Sequence, residues 1–506
     1  MQDENGLDAT PQRLDCLTLR GARDAPALID RIGTLDYAAF DAAIGSLAAY
    51  LADRAAPGDR VASWLPKTRT ACLMALACAR AGLAHVPVNP LLRHAQVAHI
   101  LADSGAVLLV TQPPRAALLE EGDCPEGCAL LLEEALAAPH PSPLPPSEGD
   151  PHALAALLYT SGSTGRPKGV MLSHANLWLG AVAVAHYLRL APDDRTLAVL
   201  PLSFDAGLNQ LLSTWAAGAC AVPLDYLVPA DVIKAIGRHN VTTLAGVPPL
   251  WIQLSEANWP AETAAKLRRL SSTGGRLPVP VVRRLRALFP GATLYLMYGL
   301  TEAFRSTYLD PALVDTHPDS IGRAIPLAEV LVVRPDGMLA ADDEEGELVH
   351  AGPLVAQGYW RDPERTAARF RPAPGASVNG GIAAWSGDSV VRGADGLLRF
   401  VGREDEMIKV SGNRISPTEI EEAAMASGAV AEAVAFGVPD ERLGQAIRLI
   451  ARAAPGVTDA EVTLAKYFKN ETPAFQHPRE VVWRDALPRN ANGKVDRTAI
   501  RAEFGA

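Results

Sequence analysis

Along the N-terminal part of the chain, apolar positions switch between a helical period and a strand period. The spacing predicts helices over residues 37–52, 70–81 and 93–102, and strands over 60–65, 84–88 and 106–111. Strands that alternate with helices in this way favour a parallel sheet covered by helices. A proline-rich stretch, 139–151, reads as an exposed connector. The alternation resumes with a helix over 176–187, a strand over 196–200, a helix over 230–239 and a strand over 293–297. After Ile321 the text turns β-rich, with strands expected over 330–334, 346–350 and 397–401 and a turn at Asp336-Gly337. From Gly402 onward a separate set begins, a helix over 418–427 and strands over 433–437 and 447–451. The expected fold class is α/β: a large N-terminal domain of helix-covered sheets with a β-rich subdomain, then a small, mobile α+β C-terminal domain. The expected division is 1–403 and 404–506.

Composition narrows the function classes. At 506 residues the chain exceeds one ordinary core, and 48% hydrophobic with 21% charged residues describes a globular protein. A net charge of −10 points away from nucleic acid and from anionic membrane surfaces. The six cysteines are too sparse for a disulfide framework; Cys124 and Cys128 are spaced like half of a zinc site, but no second pair or histidine couple lies nearby. The opening MQDENGLDAT is acidic where a signal peptide would be basic, and Arg80 and His186 interrupt the best apolar runs before they reach membrane-spanning length. A cytoplasmic enzyme without stable membrane insertion is the expectation.

The densest chemistry lies in residues 159–170, YTSGSTGRPKGV, which follow the apolar run 153–158. Gly162, Gly165 and Gly169 permit close approach of a ligand to the backbone. Thr160, Ser161, Ser163 and Thr164 supply hydroxyls, and Lys168 supplies a point charge, a set suited to polyphosphate oxygens. The string is not a Walker A loop, whose glycine spacing and following Lys-Ser/Thr are missing.

In order and type, these residues resemble the phosphate loop of the AMP-forming adenylating superfamily, which comprises acyl-CoA synthetases, nonribosomal adenylation domains and luciferases. Further matches follow in the superfamily's order. Tyr298-Gly299-Leu-Thr301-Glu302 resembles the adenine and metal motif, which implies Tyr298 against adenine, Thr301 on the α-phosphate and Glu302 on Mg²⁺, a cation that favours carboxylate and phosphate oxygens. The segment 271–275, with Gly274 and Gly275, resembles the strand and turn beside the adenine. Asp388 stands where the family binds the ribose hydroxyls, Arg403 where it reaches the ribose, and Asp405 at the hinge. Gly412 falls in the loop lining the pantetheine thiol's path, and Lys494 in the loop that delivers the catalytic lysine. Ser386 replaces a frequent Thr, and Asn413 a frequent aromatic or Glu; neither change touches adenylation.

The stretch 201–210 falls on the family's acid pocket. The resemblance implies a wall of Asp205, Ala206, Asn209, Gly246, Ser271, Met297 and Arg305, small and partly polar, which argues against a long plain acyl chain. A buried Asp205 needs water or a cationic partner, and for the partner the sequence leaves open both an ammonium on the substrate and Arg305. More closely, the chain resembles exosortase-associated acyl-CoA ligases and free-standing prolyl carrier-protein ligases. The implied activity is an AMP-forming acyl-CoA ligase using ATP, Mg²⁺ and coenzyme A on a small carboxylic acid. The alternative is an amino-acid adenylation enzyme that loads the phosphopantetheine of a carrier protein.

Overall fold

The computed structural model describes residues 7–505 except 162–166, 404–405, 411–412, 441–442 and 473. The expected alternation is present, with boundaries close to the sequence reading. The first helix is Tyr37–Ala52, started by Asp36, whose side chain accepts from the Ala39 N–H. Thr68 caps Arg69–Arg80 in the same way, and Ser173 with Asn176 forms a capping box at the head of His174–Tyr187. Almost every residue of His174–Tyr187 is buried, because layers cover it on all sides.

Two sheets make up the large domain among the described residues. Arg60–Trp64, Ala84–Pro87 and Leu108–Thr111 pair in parallel in a six-stranded sheet, which ends in an antiparallel hairpin of Leu154–Ser161 with Pro167–Ser173. That hairpin carries the two ends of the glycine-rich loop. The other sheet is 14-stranded: parallel strands Arg195–Ala198, Thr243–Gly246, Arg269–Ser272 and Thr293–Tyr298 continue through short antiparallel strands into the β-rich part, Glu329–Val333, Glu345–Ala351, Ile382–Arg392 and Leu398–Arg403.

Its parallel strands have two distinct faces. Leu197, Leu244, Leu270 and Leu294 point into a leucine-rich core, whereas their neighbours Thr196, Thr243, Ala245 and Ser271 point the other way, towards the helix Asp205–Ala216. That helix is buried along its whole length. It seats against Pro201 because Gly207 has no side chain; a Cβ there would lie 1.9 Å from the Pro201 carbonyl oxygen.

The smaller C-terminal domain has its own five-stranded sheet, built around the antiparallel pair Val430–Asp440 and Gly444–Ala453, and its own core around Ile420, Leu449 and Phe468. Ion pairs Arg276 with Glu422 and Arg452 with Glu256, the latter at 3.2 Å, join it to the large domain. The connector 139–151 is mostly exposed, as expected, yet it is tied to the first helix by Leu144 N–H to the Gly45 carbonyl. No described helix is long and apolar enough to cross a membrane.

Candidate active site

The hairpin places Thr160 directly opposite Lys168. Thr160 Oγ1 is buried and has no hydrogen-bond partner among the described residues. Lys168 Nζ lies 3.2 Å from Glu302 Oε1 and 2.6 Å from the Tyr359 hydroxyl, and that hydroxyl donates to the same Glu302 oxygen at 2.6 Å. Burial alone would raise the Glu302 pKa, but Lys168 and Arg369 overcome it and hold the carboxyl below its usual range. Burial pushes Lys168 down, with Glu302 opposing. An ionised carboxylate therefore stands beside Lys168, with the orphaned Thr160 hydroxyl across the hairpin from that lysine, a donor set that fits Mg²⁺ and phosphate. Of the residues expected in the loop, Gly162, Ser163, Thr164 and Gly165 lie outside the described residues, as do Asp405 and Gly412. Ser161 ends its strand.

A second group lines a cleft of about 850 Å³ between the domains: Gly274, Gly275, Tyr298, Gly299, Asp388, Arg403 and Lys494. The Tyr298 hydroxyl donates to Asp388 Oδ2 at 2.5 Å, and Arg403 Nη1 donates to Asp388 Oδ1 at 3.1 Å. Burial and the adjacent Asp388 push the Tyr298 phenol well up, so it remains a donor. Asp388 is thus held with its two oxygens oriented, the requirement for gripping a vicinal diol.

Lys494 reaches this cleft from a tight loop of the C-terminal domain. Asn490 Oδ1 accepts from the backbone N–H groups of Asn492 and Lys494, both at 3.0 Å, and so fixes the loop. From the other side Asn89 Nδ2 donates to the Ala491 carbonyl at 2.7 Å. The lysine Nζ lies 4.5 Å from the centroid of the Phe204 ring. Its stem passes Gly274, whose φ of +79° and bare Cα admit it; a Cβ there would be 2.7 Å from Lys494 Cε. Burial lowers the lysine's pKa, Asp205 raises it and Arg305 lowers it further, so the Asp205–Arg305 pair stands beside the ammonium.

That pair answers part of the question left by the sequence. Arg305 Nη1 donates to Asp205 Oδ2 at 3.0 Å, with both side chains buried. Arg305 also donates to the Phe304 carbonyl at 2.9 Å, and Phe304 holds a φ of +59°, a strained backbone for a non-glycine residue. Thr301 and Glu302 share the buried 3₁₀ turn just before it. Ala206, Asn209, Ser271, Met297 and Arg305 line a small cavity of about 30 Å³ behind the cleft. Gly246, expected on the same wall, instead faces the opposite side of its strand: a Cβ there would meet Trp251 and Leu250.

Residues 18–360 match the AMP-binding enzyme family, and residues 419–494 match the AMP-binding enzyme C-terminal domain. The chain belongs to the AMP-binding enzyme family. This AMP-binding enzyme is 33% identical over 457 residues to a feruloyl-CoA synthase from an Amycolatopsis species, covering 89% of each chain. It is 31% identical over 491 residues to an L-proline–[L-prolyl-carrier protein] ligase of Pseudomonas fluorescens, covering 94% of this chain and 95% of the relative. Among solved structures, ATP-bound MatB from Rhodopseudomonas palustris superposes with a TM-score of 0.87 at 27% identity, covering 98% and 99% of the two chains. A benzoate CoA ligase from Burkholderia xenovorans does so with a TM-score of 0.86 at 25% identity, covering 97% and 100%.

The motif reading missed Tyr359 and Asn89, which the AMP-binding enzyme uses to hold Glu302 and the lysine loop. Tyr359 is 191 residues from Lys168, and Asn89 is 402 from Ala491, separations at which sequence spacing carries no contact information.

Proposed function

We propose that this AMP-binding enzyme is an AMP-forming acyl-CoA ligase. It joins a carboxylic acid to AMP with release of pyrophosphate, and then passes the acyl group to the thiol of coenzyme A. The observation that carries this reading is the placement of Lys494: a cation delivered by the small domain into a cleft that also presents Tyr298, Asp388 and Arg403. A carboxylate and an α-phosphate repel each other as they approach, and a preorganised cation at that point offsets the developing charge. Asp388 would hold the ribose, and the loop from Thr160 to Lys168 the phosphates. Glu302 would hold Mg²⁺, which when bound neutralises phosphate charge.

In the second half-reaction the thiol sulfur bonds to the acyl carbon and loses its proton, and the acyl–AMP oxygen bond breaks. We assign Asp405 as hinge and the region of Gly412 as the thiol path in that step, with the domain boundary between 403 and 404. Pyrophosphate exchange with ATP and a carboxylic acid, followed by capture of a coenzyme A thioester, tests the reading. Exchange without thioester on coenzyme A would overturn the ligase assignment.

One observation supports a second reading, a carrier protein as acceptor: the prolyl-carrier ligase among the relatives. Transfer to a phosphopantetheinyl carrier faster than to free coenzyme A would decide for it.

A further inference from the structure

The small cavity behind the cleft has an unusual lining for an acyl pocket. It lies between the helix Asp205–Ala216 and the polar face of the parallel strands, and Met297 borders both it and the large cleft. Thr196 Oγ1, Thr243 Oγ1, Ser271 Oγ, Asn209 Oδ1 and Arg305 Nε all line it; each is buried, and none has a hydrogen-bond partner among the described residues. Beside Arg305, Asp205 Oδ1 is likewise buried without a partner, its other oxygen being taken by the guanidinium. Thr196 and Thr243 sit in register on neighbouring strands and project from the same face, so their hydroxyls form one polar floor. Gln210 and Ser213, on the same walls, are satisfied internally, so the orphaned atoms are a subset rather than a general feature of the region.

A folded chain pairs nearly all its buried polar atoms, and a cluster of unpaired ones around one space marks where an outside group completes them. The space is small. At about 30 Å³ it admits roughly two or three water-sized groups, too few for an aromatic ring or a long alkyl tail. Asn209 Oδ1 on the lining and Asp205 Oδ1 just beyond it only accept, Arg305 Nε only donates, and the three hydroxyls can do either, so the missing group is polar and must carry at least one donor. A second carboxylate on the substrate could accept from Arg305 Nε but would leave Asn209 Oδ1 unpaired and would stand near the Asp205 carboxylate.

We propose that the acid activated here is a short one carrying a hydroxyl or amino group on its chain, which enters this cavity and donates to its unpaired oxygens. The proposal rests on the ligase reading above and specifies its substrate class. The aromatic acid named for the feruloyl-CoA synthase relative would not fit without rearrangement of the walls.

The test is pyrophosphate exchange on matched acids: butanoate, 4-hydroxybutanoate and 4-aminobutanoate; propanoate, 3-hydroxypropanoate and 3-aminopropanoate; with L-proline, succinate, octanoate and ferulate alongside. The expected result is that a hydroxy or amino acid exceeds its hydrocarbon counterpart by roughly a hundredfold in kcat/KM, since a site built for hydrogen bonds rejects an analogue lacking them. The hydroxy and amino arms identify which donor is used. Thr196→Val and Thr243→Val keep the volume and remove the floor hydroxyls. Each should shrink that preference at least about tenfold while leaving the melting temperature unchanged or raised, because no internal hydrogen bond is lost. Preference for octanoate, ferulate, succinate or a plain short acid overturns the substrate class while leaving the ligase reading intact. Unchanged discrimination in both valine variants overturns it as well, because the cavity would then hold only water. Exchange with no acid at all overturns both readings.

Discussion

Asn89 and Ala491, 402 residues apart, are joined by a 2.7 Å hydrogen bond from the Asn89 side chain to the Ala491 carbonyl. Asn89 is buried, and its own Oδ1 accepts from the Leu91 N–H, so the large domain presents a fixed donor to the lysine loop. Asn89→Ala should lower adenylation about three- to tenfold, the worth of one neutral hydrogen bond. Thioester formation from supplied acyl-AMP should be unaffected. Equal loss in both half-reactions would assign Asn89 to the fold instead.

Lys494→Ala should reduce adenylation by roughly 10²–10³-fold, the range for removing one preorganised charge-stabilising group. The melting temperature should hold, because the lysine is buried at a cost. Wild-type pyrophosphate exchange in this variant would remove Lys494 from the mechanism.

The lowered pKa of Lys494 has a pH consequence. The free enzyme loses the ammonium below the ordinary lysine value of 10.5, so kcat/KM for adenylation should fall on the alkaline side earlier than an exposed lysine would dictate. Phosphate charge in the complex favours the ammonium, so the same limb in kcat should lie at higher pH. Lys494→Arg, charged throughout, should erase the limb in whatever activity it retains. Coincident limbs for kcat and kcat/KM would contradict the assignment.

Asp205→Ala leaves a buried guanidinium without its carboxylate and should destabilise the protein by about 3–5 kcal/mol. Arg305→Ala added to it should restore part of that loss. Denaturant melts of the two single variants and the double variant measure the coupling. Additive losses would show that the 3.0 Å contact is energetically silent.

Three buried histidines set an acid limit. Burial depresses His85 to about 3, His174 to about 3 and His350 to about 4. Below the unfolded value of 6.5, the unfolded chain binds protons that these folded sites refuse. Stability is therefore intact above that pH and declines as pH falls towards the folded values, by about 1.4 kcal/mol per pH unit for each histidine. His350→Gln should flatten the decline; an unchanged slope would clear His350 of any part in it.

The order of short motifs singled out Lys168, Glu302, Asp388 and Lys494, because the chemistry proposed for them tolerates few residue types. The alternation of periods likewise located helices such as Tyr37–Ala52 to the residue. What spacing could not give is orientation and partnership. Gly246 adjoins Ala245, which does face the cavity, and with a period of two a one-residue step reverses the face. Tyr359 reads as an ordinary aromatic until the fold brings it under Glu302. The Asp205–Arg305 contact was one of two options in the sequence and became a distance only in three dimensions.

At Gly274 the two domains recognise each other through something left out. The lysine stem occupies the place where any other residue would carry its first side-chain carbon, and the backbone there holds a turn that L-residues resist. The docked arrangement is therefore keyed by a hole as much as by the ammonium that fills it. A methyl group added at this position would push aside the end of the lysine side chain and strain the turn, so its first effect would fall on where the ammonium sits.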